Sequence, residues 1–161
     1  MKVDRCTTCG SRKLPLVDYL FKARVAGVPF ETVIRAQQCQ NCGEAFLPED
    51  ALGSFEVSAA LELARAGVVT PEALRFMRKI AGLRAVDLAE LLELTAEHVS
   101  RMENGRAPAD RRTVALLAAM LEDKAAGATR TVDQLRALAR PRRVTRRLQI
   151  PRTSAAKLGR R

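Results

Sequence analysis

The period of the apolar positions changes along the chain. From Leu16 to Val25, and again from Val28 to Gln38, β-branched and aromatic residues dominate, which predicts two strands. Ala26-Gly27 between them reads as a turn, so the pair is a predicted β-hairpin, with Pro29 weakening the start of its second arm. Beyond Pro48 the spacing becomes helical. Residues Ala51 to Ala66 read as one helix ended by Gly67, in the position of a connector.

From Thr70 the helical period continues. Thr70 is an N-cap with Pro71 at the first helical position and Glu72 beside it, and Leu74, Met77 and Ile80-Ala81 recur on one face until Gly82. A short helix from Ala85 to Leu92 places Leu88, Ala89 and Leu92 together. A third runs from Thr95 to Glu103, with Val99 and Met102 inward and Asn104-Gly105 as its stop. Asp110 caps a fourth, with Val114, Leu117, Ala118 and Leu121 inward, and Thr131 to Ala139 offers one more. The predicted fold class is therefore α+β. It comprises a small four-cysteine, zinc-ribbon-like hairpin domain over 1–48, a connector helix over 49–69 and a five-helix domain over 70–140. From Pro141 the sequence is basic, interrupted by proline and short of apolar residues, which predicts a disordered tail over 141–161.

Charge sharpens this division. Of the 161 residues, 28 are basic and 18 acidic, for a formal net charge of +10. Residues 1–69 hold 8 basic and 8 acidic side chains, residues 70–127 hold 9 and 9, and residues 128–161 hold 11 and 1, so the whole excess sits at the C-terminal end. Arg supplies 22 of the basic residues, and its planar fork suits phosphate. Aromatics are only 4%, which argues against base stacking as a mode of nucleic-acid binding. No apolar run approaches the about 20 residues that a membrane-spanning helix needs, and the first residues lack a signal-peptide core. The expectation is a soluble protein of the cytoplasm, associated with the nucleoid and not with a membrane.

The four cysteines form two copies of one unit, Cys6-Thr-Thr-Cys9-Gly10 and Cys39-Gln-Asn-Cys42-Gly43. Each C-x2-C pair offers two thiolates from one tight turn, and the following glycine accepts the positive φ of such a knuckle. Two knuckles make a closed four-sulfur tetrahedron, the usual structural zinc site, with room between them for a hairpin that brings the second pair back to the first. Disulfides are disfavoured in a reducing compartment, and a thioredoxin-type site would need a βαβ unit that the pattern lacks. The knuckles also resemble those of rubredoxins, which hold iron. The expected cofactor is one structural Zn²⁺ on Cys6, Cys9, Cys39 and Cys42, with iron as the alternative.

The stretch Leu88-Ala89-x-x-Leu92-x-Leu94-Thr95-x-x-x-Val99-Ser100-Arg101-x-Glu103-Asn104-Gly105, with Pro108 after it, resembles the Cro/phage-repressor type of helix-turn-helix. In that family the second helix of the motif enters the major groove. The resemblance therefore implies that Ala96, Glu97, Ser100 and Arg101 face DNA. Arg101 would take guanine O6 and N7, and Glu97 would accept from cytosine N4. The competing reading is that Glu97 and Arg101, four apart, pair with each other for about 0.2–0.5 kcal/mol. Phosphate contacts are expected from Arg106, Arg111 and Arg112 and from backbone N–H groups near Asn104 and at helix starts. His98, the only histidine, is expected to face solvent or backbone. The family commonly has Thr-Gln where this chain has Arg84-Ala85, and Gly where it has Glu93. A left-handed Glu93 would cost about 1–2 kcal/mol.

A finger of this spacing followed by this motif is similar to the MqsA-type antitoxins with a YgiT-type zinc finger, over about 120 of the 161 residues. That resemblance implies a homodimer, formed through the C-terminal domain, that represses its own operon, and a zinc domain that neutralises an mRNA-cleaving toxin. Its reading helix presents Asn and Arg. Arg101 keeps the second and Glu97 replaces the first. The alternatives are a toxin-neutralising or adaptor protein, or nonspecific nucleic-acid binding through the tail. No Ser/His/Asp set or phosphate loop is present in the sequence, so an enzyme is not expected.

Overall fold

A computed structural model describes residues 3–139, and the basic stretch over 141–161 lies outside them. The two predicted strands, β1 (Leu16–Val25) and β2 (Val28–Gln38), pair antiparallel with Leu20 opposite Val33 and Val25 opposite Val28. Ala26 at φ 49° and Gly27 at φ 80° form the two-residue turn whose twist matches the strands. Pro29 does no harm there. It lies opposite Arg24, one step from the hydrogen-bonded pair that closes the turn, so its missing N–H would have pointed away from β1. A third strand that the sequence pattern did not reveal, β3 (Ala45–Phe46), pairs with Gln37 and Gln38 and completes the sheet order β1-β2-β3. Two residues are too few to show a period.

Six helices follow: α1 (Glu49–Arg65), α2 (Pro71–Ile80), α3 (Ala85–Leu91), α4 (Ala96–Glu103), α5 (Arg111–Ala125) and α6 (Arg130–Ala139). The predicted caps form. Thr70 Oγ1 accepts from the Ala73 N–H, Thr95 Oγ1 from the His98 N–H and Asp110 Oδ1 from the Arg112 N–H. Asp123 does the same service for α6, accepting from the Thr131 N–H at 2.6 Å and from Arg130 Nε at 3.1 Å, which holds its carboxyl below the usual carboxylate range.

Helix ends share one device. After α1, Val68 N donates to Leu63 O and Gly67 N to Ala64 O, a Schellman stop with a left-handed residue at its centre. The same pair of bonds closes α3, where Leu94 N reaches Ala89 O and Glu93 N reaches Glu90 O. There the left-handed position falls on Glu93, at φ 54°, and not on a glycine.

Leu74, Met77, Leu88, Val99, Met102, Leu117 and Leu121 form the fully buried centre of the helical unit. Two expectations shift. Leu91 is buried in the core while Leu92 packs against it only half buried, and Ala118 is half buried while Met120 is buried. The helix read as a connector over 49–69 is a full member of this unit, since Ala60 and Leu63 of α1 belong to the same core. On its other side α1 meets the hairpin. Phe55 stands edge-on to Phe21 and Phe30, with ring centroids 5.1 Å and 6.3 Å away. Among the described residues no helix is long and apolar enough to cross a membrane.

Candidate metal centre and nucleic-acid interface

The two knuckles are built alike. Cys6 N donates to Ser11 O and Gly10 N to Cys6 O; Cys39 N donates to Glu44 O and Gly43 N to Cys39 O. Each loop thereby aims two sulfurs the same way. β1 and β2 bring the loops together, and Gln38 N to Pro15 O and Gln40 N to Lys13 O tie them. Cys6 Sγ lies 3.5 Å from Cys42 Sγ, Cys9 Sγ lies 3.5 Å from Cys39 Sγ, and all four sulfurs fall within 4.8 Å of one another. Zinc–sulfur bonds of about 2.3 Å in a tetrahedron require sulfur separations of about 3.8 Å, which lies within the range these sulfurs span, so the donor set suits a zinc-type ion. Cys6 and Cys39 are buried, while Cys9 and Cys42 face outward.

Protons are held unevenly by the free thiols. The Cys42 backbone N–H holds Cys39 down to about 6. The Glu44 backbone N–H pulls on Cys42, yet the neighbouring thiols and burial push it up to about 12. Four thiolates so close together need a cation to coexist.

Gln37 was not singled out by the sequence pattern. Its Oε1 accepts from Val3 N at 2.7 Å and its Nε2 donates to Val3 O and Leu14 O, which clasps the segment carrying the first knuckle to β2. Its place two residues before Cys39 was the available signal.

On the helical side, α3 and α4 meet across the turn at Leu92–Thr95. Val99 and Met102 anchor α4 from below. Ala96, Glu97, His98, Ser100 and Arg101 stand exposed on its outer face. Among the described residues neither Glu97 nor Arg101 forms an ion pair, so the competing reading, an internal pair between them, is not made. Arg106 follows in the loop, and Arg111 and Arg112 open α5; all three are exposed.

The backbone near Asn104 departs from expectation. Asn104 N donates to Ser100 O, Gly105 N to Met102 O, and Arg106 N and Ala107 N both to Arg101 O, so these N–H groups close the end of α4 and are not free for phosphate. The Asn104 side chain is also engaged, donating to Ser100 O and Oγ and accepting from Arg75 Nη2.

Sequence reasoning also passed over the brace beneath α4. Arg78 of α2 grips Glu103 and reaches Leu83 O with its Nη1, while Arg75 approaches Glu103 at 3.6 Å. The signal was there, since Arg78 follows Leu74 by four and Glu103 follows Val99 by four, each continuing an apolar stripe.

Residues 72–122, from α2 through most of α5, match the family model of a helix-turn-helix domain, and no curated protein matches the sequence. The chain thus joins a helix-turn-helix domain to a cluster of four cysteines at zinc-binding distance.

Proposed function

We propose that this protein is a sequence-specific, DNA-binding transcriptional regulator that works as a homodimer on the operator of its own operon, in the cytoplasm, with no catalytic activity. The supporting observation is the exposed Arg101 on α4, which forms no ion pair among the described residues, on a helix held from beneath by a buried ion pair. Rigid presentation lets a guanidinium address guanine O6 and N7 together, for about 1–3 kcal/mol of discrimination. Ala96, Glu97 and Ser100 share that outer face and would meet neighbouring bases. Arg106, Arg111 and Arg112 would fix the register on phosphates.

One structural Zn²⁺ on Cys6, Cys9, Cys39 and Cys42 completes the reading. With four protein sulfurs no coordination position stays open, so the ion would supply folding energy and no hydrolysis. In the finer form of this reading the zinc-bearing unit binds a partner protein, an mRNA-cleaving toxin, which makes the chain an antitoxin. The exposed Glu97, whose carboxylate repels phosphate, favours a second reading: a protein-binding adaptor whose DNA affinity is nonspecific.

Fluorescence anisotropy separates these. The zinc-loaded protein is titrated onto the duplex upstream of its own gene and onto a scrambled duplex, with Arg101→Ala in parallel. The regulator reading expects a preference for the native duplex that Arg101→Ala abolishes. Equal binding to both duplexes, untouched by Arg101→Ala, leaves the adaptor reading.

A further inference from the structure

We propose that the outer face of the β1–β2 hairpin is a self-association surface that pairs two copies of this chain with their strands aligned in parallel. This rests on the homodimer part of the reading above and assigns it a surface.

Residues Leu16, Leu20 and Val33 are 60%, 49% and 63% exposed, and all three lie on the hairpin face turned away from α1. That face is read off the register. Asp18 stands opposite Arg35, Leu20 opposite Val33, and Lys22 opposite Glu31. These are non-hydrogen-bonded pairs, counting from the bonded pair at the turn, so their side chains approach closely. Asp18 and Arg35 meet at 2.9 Å and Lys22 and Glu31 at 3.6 Å, with all four side chains about two-thirds exposed.

The result is an apolar centre between two ion pairs of opposite sense. The acid lies on β1 at one end and on β2 at the other. A two-fold axis running along the strands exchanges β1 with β2 at each level. It would set Asp18 against Arg35 of the second copy and Lys22 against Glu31 of the second copy, with Leu20 and Val33 packed on their counterparts. Every carboxylate gains a second cation, and no like charges meet. A uniformly acidic or basic partner would match half of these groups and oppose the other half, which favours a second copy as the occupant.

The parallel alignment also keeps both turns at one end. Val25, Ala26 and Val28 at the turn pack against the helical core, so the two helix-turn-helix units would lie at the same end, as two reading helices on one duplex require. The face is small. Five cross-strand levels at about 3.3 Å per residue and about 10 Å of width give about 300 Å² per copy, well under the about 800 Å² of a standard interface. The contact is therefore weak alone and strengthens when DNA holds two copies together.

Sedimentation velocity of the zinc-loaded full chain over a concentration series tests this. Metal content and circular dichroism verify that each variant is folded. Wild type is expected to show concentration-dependent dimers, and Val33→Lys to weaken them at least about tenfold. The double exchange Asp18→Arg/Arg35→Asp keeps the intrachain pair and, under the parallel alignment, still associates with itself, but mixes poorly with wild type. A monomeric wild type, or association unmoved by Val33→Lys, overturns the proposal. Loss of self-association in the double exchange overturns the parallel alignment. The anisotropy assay is independent: absent duplex preference with Val33-dependent association intact refutes the DNA reading and supports this one.

Discussion

Arg78 of α2 and Glu103 of α4 form a two-pronged ion pair, Nε to Oε1 at 2.5 Å and Nη2 to Oε2 at 2.9 Å, with side chains only 10% and 6% exposed. The pair fixes how α4 stands on the rest of its unit. Truncating Glu103 leaves Arg78 buried without a counter-charge, which costs about 3–5 kcal/mol. Glu103→Ala is therefore expected to lower the unfolding free energy by that amount in a denaturant titration, and an unchanged free energy would show that water reaches Arg78.

The metal centre makes a divisible prediction. About 45 residues have little core of their own, so an ion on the four sulfurs would supply much of their stability. Cys39→Ser is expected to release the metal and melt the hairpin, while the far-ultraviolet signal of the helices persists. Metal analysis with circular dichroism reads both. Full metal content in that variant would refute the four-sulfur site.

Acid should loosen the start of α3. Asp87 accepts from the Arg84 guanidinium and from the Arg84 N–H, and together these hold its carboxyl down to about 2 from an ordinary 3.8. A depressed carboxyl pKa stabilises the fold at pH values above the unfolded value, and that contribution fades as pH falls through the folded one. Between about pH 4 and pH 2 the melting temperature should drop more steeply in wild type than in Asp87→Asn. Parallel curves would remove Asp87 from the acid response.

Glu93 offers a gain. It occupies a left-handed position that costs a side-chain-bearing residue about 1–2 kcal/mol. Glu93→Gly should relieve part of this, raising stability by about 1 kcal/mol in thermal unfolding. A loss would mean that the carboxylate holds a partner worth more than the strain.

Residues 141–161 carry eight Arg or Lys and no acid. If they meet phosphate, log affinity for DNA falls with log salt by about 0.9 per contact. Deleting them should flatten that slope in the anisotropy titration. An identical slope would leave residues 1–140 as the source of affinity.

Legibility followed the length of the pattern. The hairpin bounds emerged to the residue because ten- and eleven-residue runs of strand formers flank a clear turn. The helices emerged from caps and stops that repeat. β3 was hidden by its two-residue length, and Leu91 was misjudged against Leu92 because a seven-residue helix shows its face only once. At the sites, the sulfur cluster was legible from spacing alone. The Arg78–Glu103 brace was not, because charged residues in a helical period read as surface until tertiary packing covers them. Nor did the sequence show that the amides near Asn104 would be consumed in ending α4.

α1 is a party wall. Its Phe55 side finishes the cysteine-bearing sheet, and its Ala60 and Leu63 side finishes the helical core. A fragment starting at Thr70 would strip one room of its wall, and a fragment ending at Pro48 would strip the other. The natural cut of the sequence, between the cysteine-bearing hairpin and the helix-turn-helix domain, is thus no seam of the protein. Any dissection that hopes to study either half must leave α1 with the half being kept.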